Sequence, residues 1–307
     1  FFVFEKQIKE TFYPVKTIHV FYDGLATQPA FMGMIDILQL PKEDVKIFAW
    51  HRFTKRSELI DLNEINAVEV PVIDLEGYGL ANVDPVLDKL KETMDRYPNS
   101  PVIVWTNANN INYFFDLFFK KIDYRRVKHI HLYEDGVGEL FTQSQKYQEF
   151  SYQDKDIQNM RAYWFDPNSK VKFPSNGRYL IHHFFPVTYH FYKVETAMKD
   201  PSFSSFFKAM EGAEFEDSDF IKIKNKLTQK QKEMLYKLLN FDEKRYKDIF
   251  NNHKTFMFVS GYYHKNVHHL DHAEISYIIQ LMKKYPDYYF FLKPHPSFDA
   301  FDKAKYM

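Results

Sequence analysis

Val127-Lys128-His129-Ile130-His131-Leu132-Tyr133-Glu134-Asp135 is a short apolar run, enriched in β-branched and aromatic residues, that ends in two adjacent carboxylates. That composition is the signature of a strand. Four earlier runs share it: Val15–Asp23, Val45–Trp50, Ala67–Ile73 and Pro101–Asn107. Segments with helical spacing lie between them. In the clearest, Asp84–Tyr97, Val86, Leu87, Leu90 and Met94 share one face while charges occupy the other. Strand and helix in alternation predict an α/β fold with a parallel sheet covered by helices.

The texture changes after Asp135. Residues 139–165 are expected to be helical and polar, and Lys170–Arg178 a loop with turn residues. A domain boundary is therefore expected between 178 and 179. The second half opens with Tyr179–Tyr192. Thr228 followed by Gln231 fits a capping box that starts a helix through Leu239. One further βαβ-like unit follows, with Thr255–Ser260 and Tyr288–Lys293 as strands and Ala273–Tyr285 as helix. A second doubly wound domain needs more strands, so the C-terminal lobe is expected to be incomplete in this chain. Phe1 in place of methionine points to a removed N-terminal piece, with Phe1-Phe2-Val3-Phe4 either the remnant of an anchor or a hydrophobic arm.

At 307 residues the chain is long enough for two domains. Hydrophobic residues at 45% and aromatic residues at 19% supply ample core material. Lys+Arg and Asp+Glu each total 41, so there is no electrostatic reason to expect a nucleic-acid partner, and none is expected. The absence of cysteine excludes disulfides, thiolate nucleophiles and Cys-based zinc sites. No run approaches the roughly 20 apolar residues of a membrane helix. A Gly-rich phosphate loop, a GxGxxG and a GxSxG are all missing, which removes the main support for ATPase, dinucleotide-dependent and α/β-hydrolase readings.

Ligands of parallel α/β sheets bind beyond the carboxyl ends of the strands. Three such ends carry polar residues that packing does not explain: Asp23-Gly24, Glu134-Asp135-Gly136 and Pro294-His295-Pro296. In the second, adjacent carboxylates point to opposite faces if the strand persists, so that one faces a cleft while the other makes structural contacts. Gly136 permits a tight turn and close approach of a ligand. A carboxylate so placed can deprotonate a sugar hydroxyl; an ordinary acidic turn is the plainer alternative. His295, held between prolines, is aimed and titrates near neutrality, which suits an acid toward a leaving phosphate. A rigid turn whose histidine caps a neighbour is its alternative.

Two other patterns compete. His264, His268 and His272 recur at i, i+4 spacing beside Asp271, where three imidazoles on one helix face could hold zinc, against a solvated loop or helix start. Asp217-Ser218-Asp219 is formally a DxD; lying in Glu214–Asp219, away from any expected strand, it reads as an exposed acidic loop with capping potential.

The order of the strand-end motifs resembles the bacterial sialyltransferases of glycosyltransferase family 80. The residues that carry the resemblance are Leu132-Tyr133-Glu134-Asp135-Gly136 and Lys293-Pro294-His295-Pro296. Phe185-Pro186-Val187-Thr188-Tyr189-His190-Phe191, Leu227-Thr228 with its helix into Asn240-Phe241-Asp242-Glu243, Lys46-Ile47-Phe48 with Arg52-Phe53, and the Thr255–Ser260 strand follow in family order. The resemblance implies a GT-B fold, two Rossmann-like lobes facing a cleft. Residues 1–178 would form the acceptor lobe and 179–307 the CMP-sugar lobe. It implies an inverting transfer from CMP-sialic acid to a terminal galactoside of a glycan or lipooligosaccharide, with no cofactor and no metal. Asp135 would be the general base and His295 the general acid. Asp23, Gly24, His51, Asn109, Glu134, Gly136, Ser260, Gly261, His264, Lys293 and Pro296 would contact substrate.

Departures from the family pattern are Ser297 where arginine is common, Asn109 where a histidine is usual and His264 near a family tryptophan. The family's nucleotide-binding glutamate and serine pair are expected past the His-Pro motif, beyond Met307. The implied setting is the bacterial cytoplasm, with peripheral association at the inner face of the membrane. The oligomeric state, the linkage and the natural acceptor are left open. The alternatives are a polysialyl- or other GT-B transferase, a zinc-dependent hydrolase built on His264–His272, and a catalytically silent carbohydrate-binding lobe pair.

Overall fold

In the computed structural model, the residues described are 15–22, 33, 36–37, 39–41, 44–50, 67–69, 83–107, 111–134, 140–141, 144–145, 154–172, 177–238, 241–259 and 268–293. The chain divides into two compact units, Phe1–Leu238 and Leu239–Met307.

Unit 1 is built on strands β1 (Thr17–Tyr22), β2 (Val45–Trp50), β3 (Ala67–Glu69), β4 (Val102–Asn107), β5 (Val127–Tyr133), β6 (Val187–Phe191) and β7 (Glu214–Asp217). They form one sheet in the order β3-β2-β1-β4-β5-β6-β7, with every neighbouring pair parallel. All five strands expected from the first half are present. β4 is buried along almost its whole length, so its apolar residues run on rather than alternate, and that makes it legible.

One face of the sheet meets α1 (Val83–Arg96), α2 (Ile111–Lys121) and α3 (Asp154–Phe165). Ile18, Val20, Phe48, Val104, Ile130, Leu132, Val187 and Tyr189 join Leu87, Leu90 and Met94 of α1, the phenylalanines Phe114, Phe115, Phe118 and Phe119 of α2, and Met160 and Trp164 of α3 in a single core. Leu87, Leu90 and Met94 of the expected apolar stripe form that core-facing side, and the side chain of Val86 lies outside those described. Arg126 ties the end of α1 to the start of β5 by donating to the carbonyls of Met94, Tyr97 and Ser100.

The sheet does not stop at β5. The Tyr179–Tyr192 stretch becomes a short 3-10 segment over Gly177–His183 and then β6, which pairs with β5; β7 pairs with β6 in turn. The boundary expected between 178 and 179 thus falls inside unit 1, because two more strands extend the first sheet before the chain leaves it. Helices α4 (Val194–Ala197), α5 (Ser204–Ala209), α6 (Phe220–Lys226) and α7 (Gln229–Leu238) complete the unit. The Thr228 capping box forms as expected. Thr228 N–H donates to Gln231 Oε1 at 2.9 Å, and Gln231 N–H donates to Thr228 Oγ1 at 3.3 Å.

Unit 2 contains α8 (Glu243–Asn252), β8 (Lys254–Val259), α9 (His268–Lys284) and β9 (Tyr288–Lys293). β8 and β9 pair in parallel, with Val259 opposite Lys293, which is the expected βαβ unit. His268 and His272 lie in the first turns of α9, while His264 is outside the described residues.

On the second face of the unit 1 sheet, the helical residue Gly33 lies directly on the Trp105 ring, where a methyl group would overlap the indole. Trp105 has no room to give way, since His131 stacks against it at 3.7 Å between ring centroids and Phe21 at 5.4 Å. We expect Gly33→Ala to lower the stability of unit 1 by about 1–3 kcal/mol; an unchanged urea midpoint would contradict this contact.

Candidate active site

The strand order places the reversal of the sheet between β1 and β4, the position where open α/β sheets take ligands at their carboxyl ends. Asp23 and Gly24 follow β1, and Asn107, buried, ends β4 beside Tyr133 of β5. Glu134 and Asp135 follow β5. Of the site residues expected from sequence, Asp23, Gly24, His51, Asn109, Asp135, Gly136, Ser260, Gly261, His264, His295 and Pro296 lie outside the described residues. Lys293 is the last residue of β9. Glu134 alone has a described side chain.

That side chain is turned inward and buried. Glu134 Oε1 accepts from the backbone N–H of Tyr192, just past β6, and from Ser218 Oγ at 3.2 Å, just past β7. A second carboxylate laces the same end of the sheet. Asp217 Oδ1 accepts from the N–H groups of Lys193 and Asp219, both at 3.0 Å, and Oδ2 meets Lys222 Nζ at 2.8 Å. Burial works against the charge on Asp217, but Lys222 and these backbone donors win and hold its carboxyl below the usual range. Lys193, which donates to it, is the one non-glycine residue with a left-handed backbone among the described residues, at φ 54°. The Asp217-Ser218-Asp219 stretch is therefore not an exposed loop away from any strand. Asp217 closes β7, Ser218 and Asp219 are buried, and Asp219 Oδ1 accepts from Lys222 N–H at 3.4 Å in the first turn of α6. The strand escaped sequence reading because Glu-Phe-Glu-Asp alternates acid with aromatic on an exposed edge.

A feature that sequence reading missed lies on the sheet's second face, where β1, β4, β5 and β6 present His19, Trp105, His129, His131 and His190. Trp105 Nε1 donates to His19 Nδ1 at 3.4 Å. Thr188 Oγ1 donates its single proton to Glu214 at 2.9 Å, so His129 Nε2, 2.8 Å away, must donate to Thr188. His131 Nδ1 and His190 Nε2 are 3.0 Å apart, and His190 Nδ1 is 3.3 Å from Glu216 Oε2. With both imidazoles neutral, His131 Nδ1–H donates to His190 Nε2 and His190 Nδ1–H donates to Glu216. Burial pushes His19 down to about 4; burial and then His129 push His190 to about 4; burial and then the neighbouring imidazoles push His131 to about 2. Glu216 would favour a charged His190, but its side chain is mostly exposed, so desolvation dominates. The signal in sequence was present: His129 and His131 are two apart in a strand, which places both on one face.

Among the described residues, no group of three or more His, Asp or Glu side chains could hold a metal, and no helix is long and apolar enough to cross a membrane.

The family model described as "Sialyltransferase PMO188" matches residues 18–289. The chain belongs to this sialyltransferase family. No curated protein matches the sequence of this sialyltransferase. In structure it is similar to the sialyltransferase of Photobacterium damselae, residues 113–497 corresponding to the GT-B domain. That likeness has 17% identity and a TM-score of 0.63, covering 92% of this chain and 75% of the other. It is also similar to the α/β-galactoside α-2,3-sialyltransferase of the luminous marine bacterium Photobacterium phosphoreum, at 18% identity and a TM-score of 0.58, covering 92% and 76%. The sialyltransferase therefore has the GT-B type of α/β fold expected from its motifs. Family membership makes it a glycosyltransferase and implies a nucleotide-sugar donor and a glycan acceptor. It sets aside the hydrolase and the silent-module readings.

Proposed function

We propose that this sialyltransferase moves sialic acid from CMP-sialic acid to a terminal galactoside by an inverting, metal-independent displacement. Asp135 is the general base and His295 the general acid. The supporting observation is position: within a matched sialyltransferase chain, Asp135 follows the end of β5 and His295 follows the end of β9, both strands of parallel sheets.

In this reading the base removes the proton from the acceptor hydroxyl as its oxygen forms a bond to the anomeric carbon of sialic acid. The bond from that carbon to the phosphate oxygen breaks, and its electron pair leaves with CMP. His295 donates a proton or hydrogen bond to the departing phosphate and so offsets the charge that would otherwise call for a metal. Asp23, Gly24, His51, Asn109, Gly136, Ser260, Gly261, His264, Lys293 and Pro296 line the substrates. The setting is the bacterial cytoplasm, at the inner face of the membrane, because the anionic donor does not cross a bilayer; lipooligosaccharide is the fitting acceptor class.

The full protein incubated with CMP-sialic acid and lactose in EDTA should release CMP and form a sialoside of inverted anomeric configuration by NMR. Loss of turnover on chelation, restored by a divalent ion, would overturn metal independence. Retained configuration would overturn the single displacement.

A further inference from the structure

Glu134 precedes the proposed base, and its own carboxylate is spent inside the protein. Tyr192 N–H stands at the exit of β6 and Ser218 Oγ at the exit of β7, and both donate to the same Glu134 oxygen. The backbone repeats the lacing, with Glu134 N–H donating to His190 O at 3.3 Å and Ser218 N–H to Phe191 O at 3.0 Å. Three strand exits are thus tied through one buried side chain. From them leave the segment that continues into Asp135, the left-handed turn at Lys193, and the segment into α6.

We propose that Glu134 is a positioning residue. Its buried carboxylate clamps the exits of β5, β6 and β7 together and thereby sets where the following residue, Asp135, meets the acceptor. This rests on the reading of Asp135 as base. A carboxylate is suited to the task because it accepts from a backbone N–H and a hydroxyl at once, and charge-assisted bonds of this kind are shorter and stronger than neutral ones. The two acids of the motif then have different work: the first holds the frame and the second reacts.

The experiment compares Glu134→Ala, Glu134→Gln, Ser218→Ala and Asp135→Asn in the full chain. It reads kcat and acceptor KM by CMP release, and hydrogen exchange at the Tyr192 amide. Glu134→Ala should lower kcat by about 10²-fold, as a misplaced reacting group does, with a smaller change in KM. Its Tyr192 amide should exchange faster than in the native chain. Glu134→Gln, whose amide oxygen still accepts, should recover most of the loss. Ser218→Ala, which removes one donor and leaves the carboxylate in place, should show the same effects in milder form and serves if Glu134→Ala fails to fold. The clamp is overturned if Tyr192 exchange is unchanged in the Ala variants, or if Gln is as inactive as Ala, which would make Glu134 a direct participant. Failure of the underlying reading has a separate signature: Asp135→Asn would keep native turnover with Tyr192 fully protected.

Discussion

Asp135→Ala should cut the rate of CMP-dependent transfer by ~10²–10⁴-fold, the range a positioned general base contributes. The thermal midpoint should stay near that of the native chain, since the residue comes after the end of β5 in sequence. The loss should appear mainly in kcat, because the proton moves in the transition state and contributes little to holding the acceptor. His295→Ala should also lower kcat, by less when the acceptor is unchanged and the leaving group is made better, since an activated leaving group needs less help from an acid. A folded Asp135→Ala variant with native turnover would remove the base assignment. A His295→Ala variant equally slow with all donors would remove the acid assignment.

Unit 1 should lose stability steeply as pH falls from about 6.5 toward 4, where buried histidines resist protonation. The sign follows from His19 and His190, each held near 4 when folded against about 6.5 when unfolded. Above 6.5 neither state binds the proton and the groups cost nothing. Below it the unfolded chain takes up protons that the folded chain refuses. By pH 5 these two residues together remove about 4 kcal/mol, a large share of the stability of a typical domain. His131, pushed further down, adds to the loss. Asp36 and Glu216, both raised chiefly by burial, work in the opposite direction but are partly exposed. Urea midpoints measured between pH 7.5 and 4.5 test this. Stability that stays flat across the window would mean that the histidine face is solvated, or that it is charged and paired.

The legible and illegible parts of the chain divide along a physical line. Strand β4 could be read because a parallel strand buried on both faces is apolar along most of its length, and Val45–Trp50 and Tyr288–Lys293 match their expected bounds. The Thr228–Gln231 box could be read because capping is a local interaction between residues three apart. Helix α1 could be read from its stripe. By contrast, β7 is a four-residue acidic edge strand whose identity depends on β6 lying beside it. The unit boundary depended on that same pairing, and so did the correction of the Asp217-Ser218-Asp219 stretch.

Sequence alone therefore determined the α/β class, the family motifs, and the pair of acids, Glu134 and Asp135, past the end of a strand. Tertiary structure decided what the first of them touches. It gave Glu134 the Tyr192 N–H and the Ser218 hydroxyl, partners 58 and 84 positions away. It also brought His19, His131 and His190 from three strands onto one face, with His19 and His190 buried and His131 bonded to His190. The reason is range. Periodicity and capping act within a turn or a strand, whereas a carboxylate's partner and an imidazole's charge are set by whichever distant segments the sheet brings alongside.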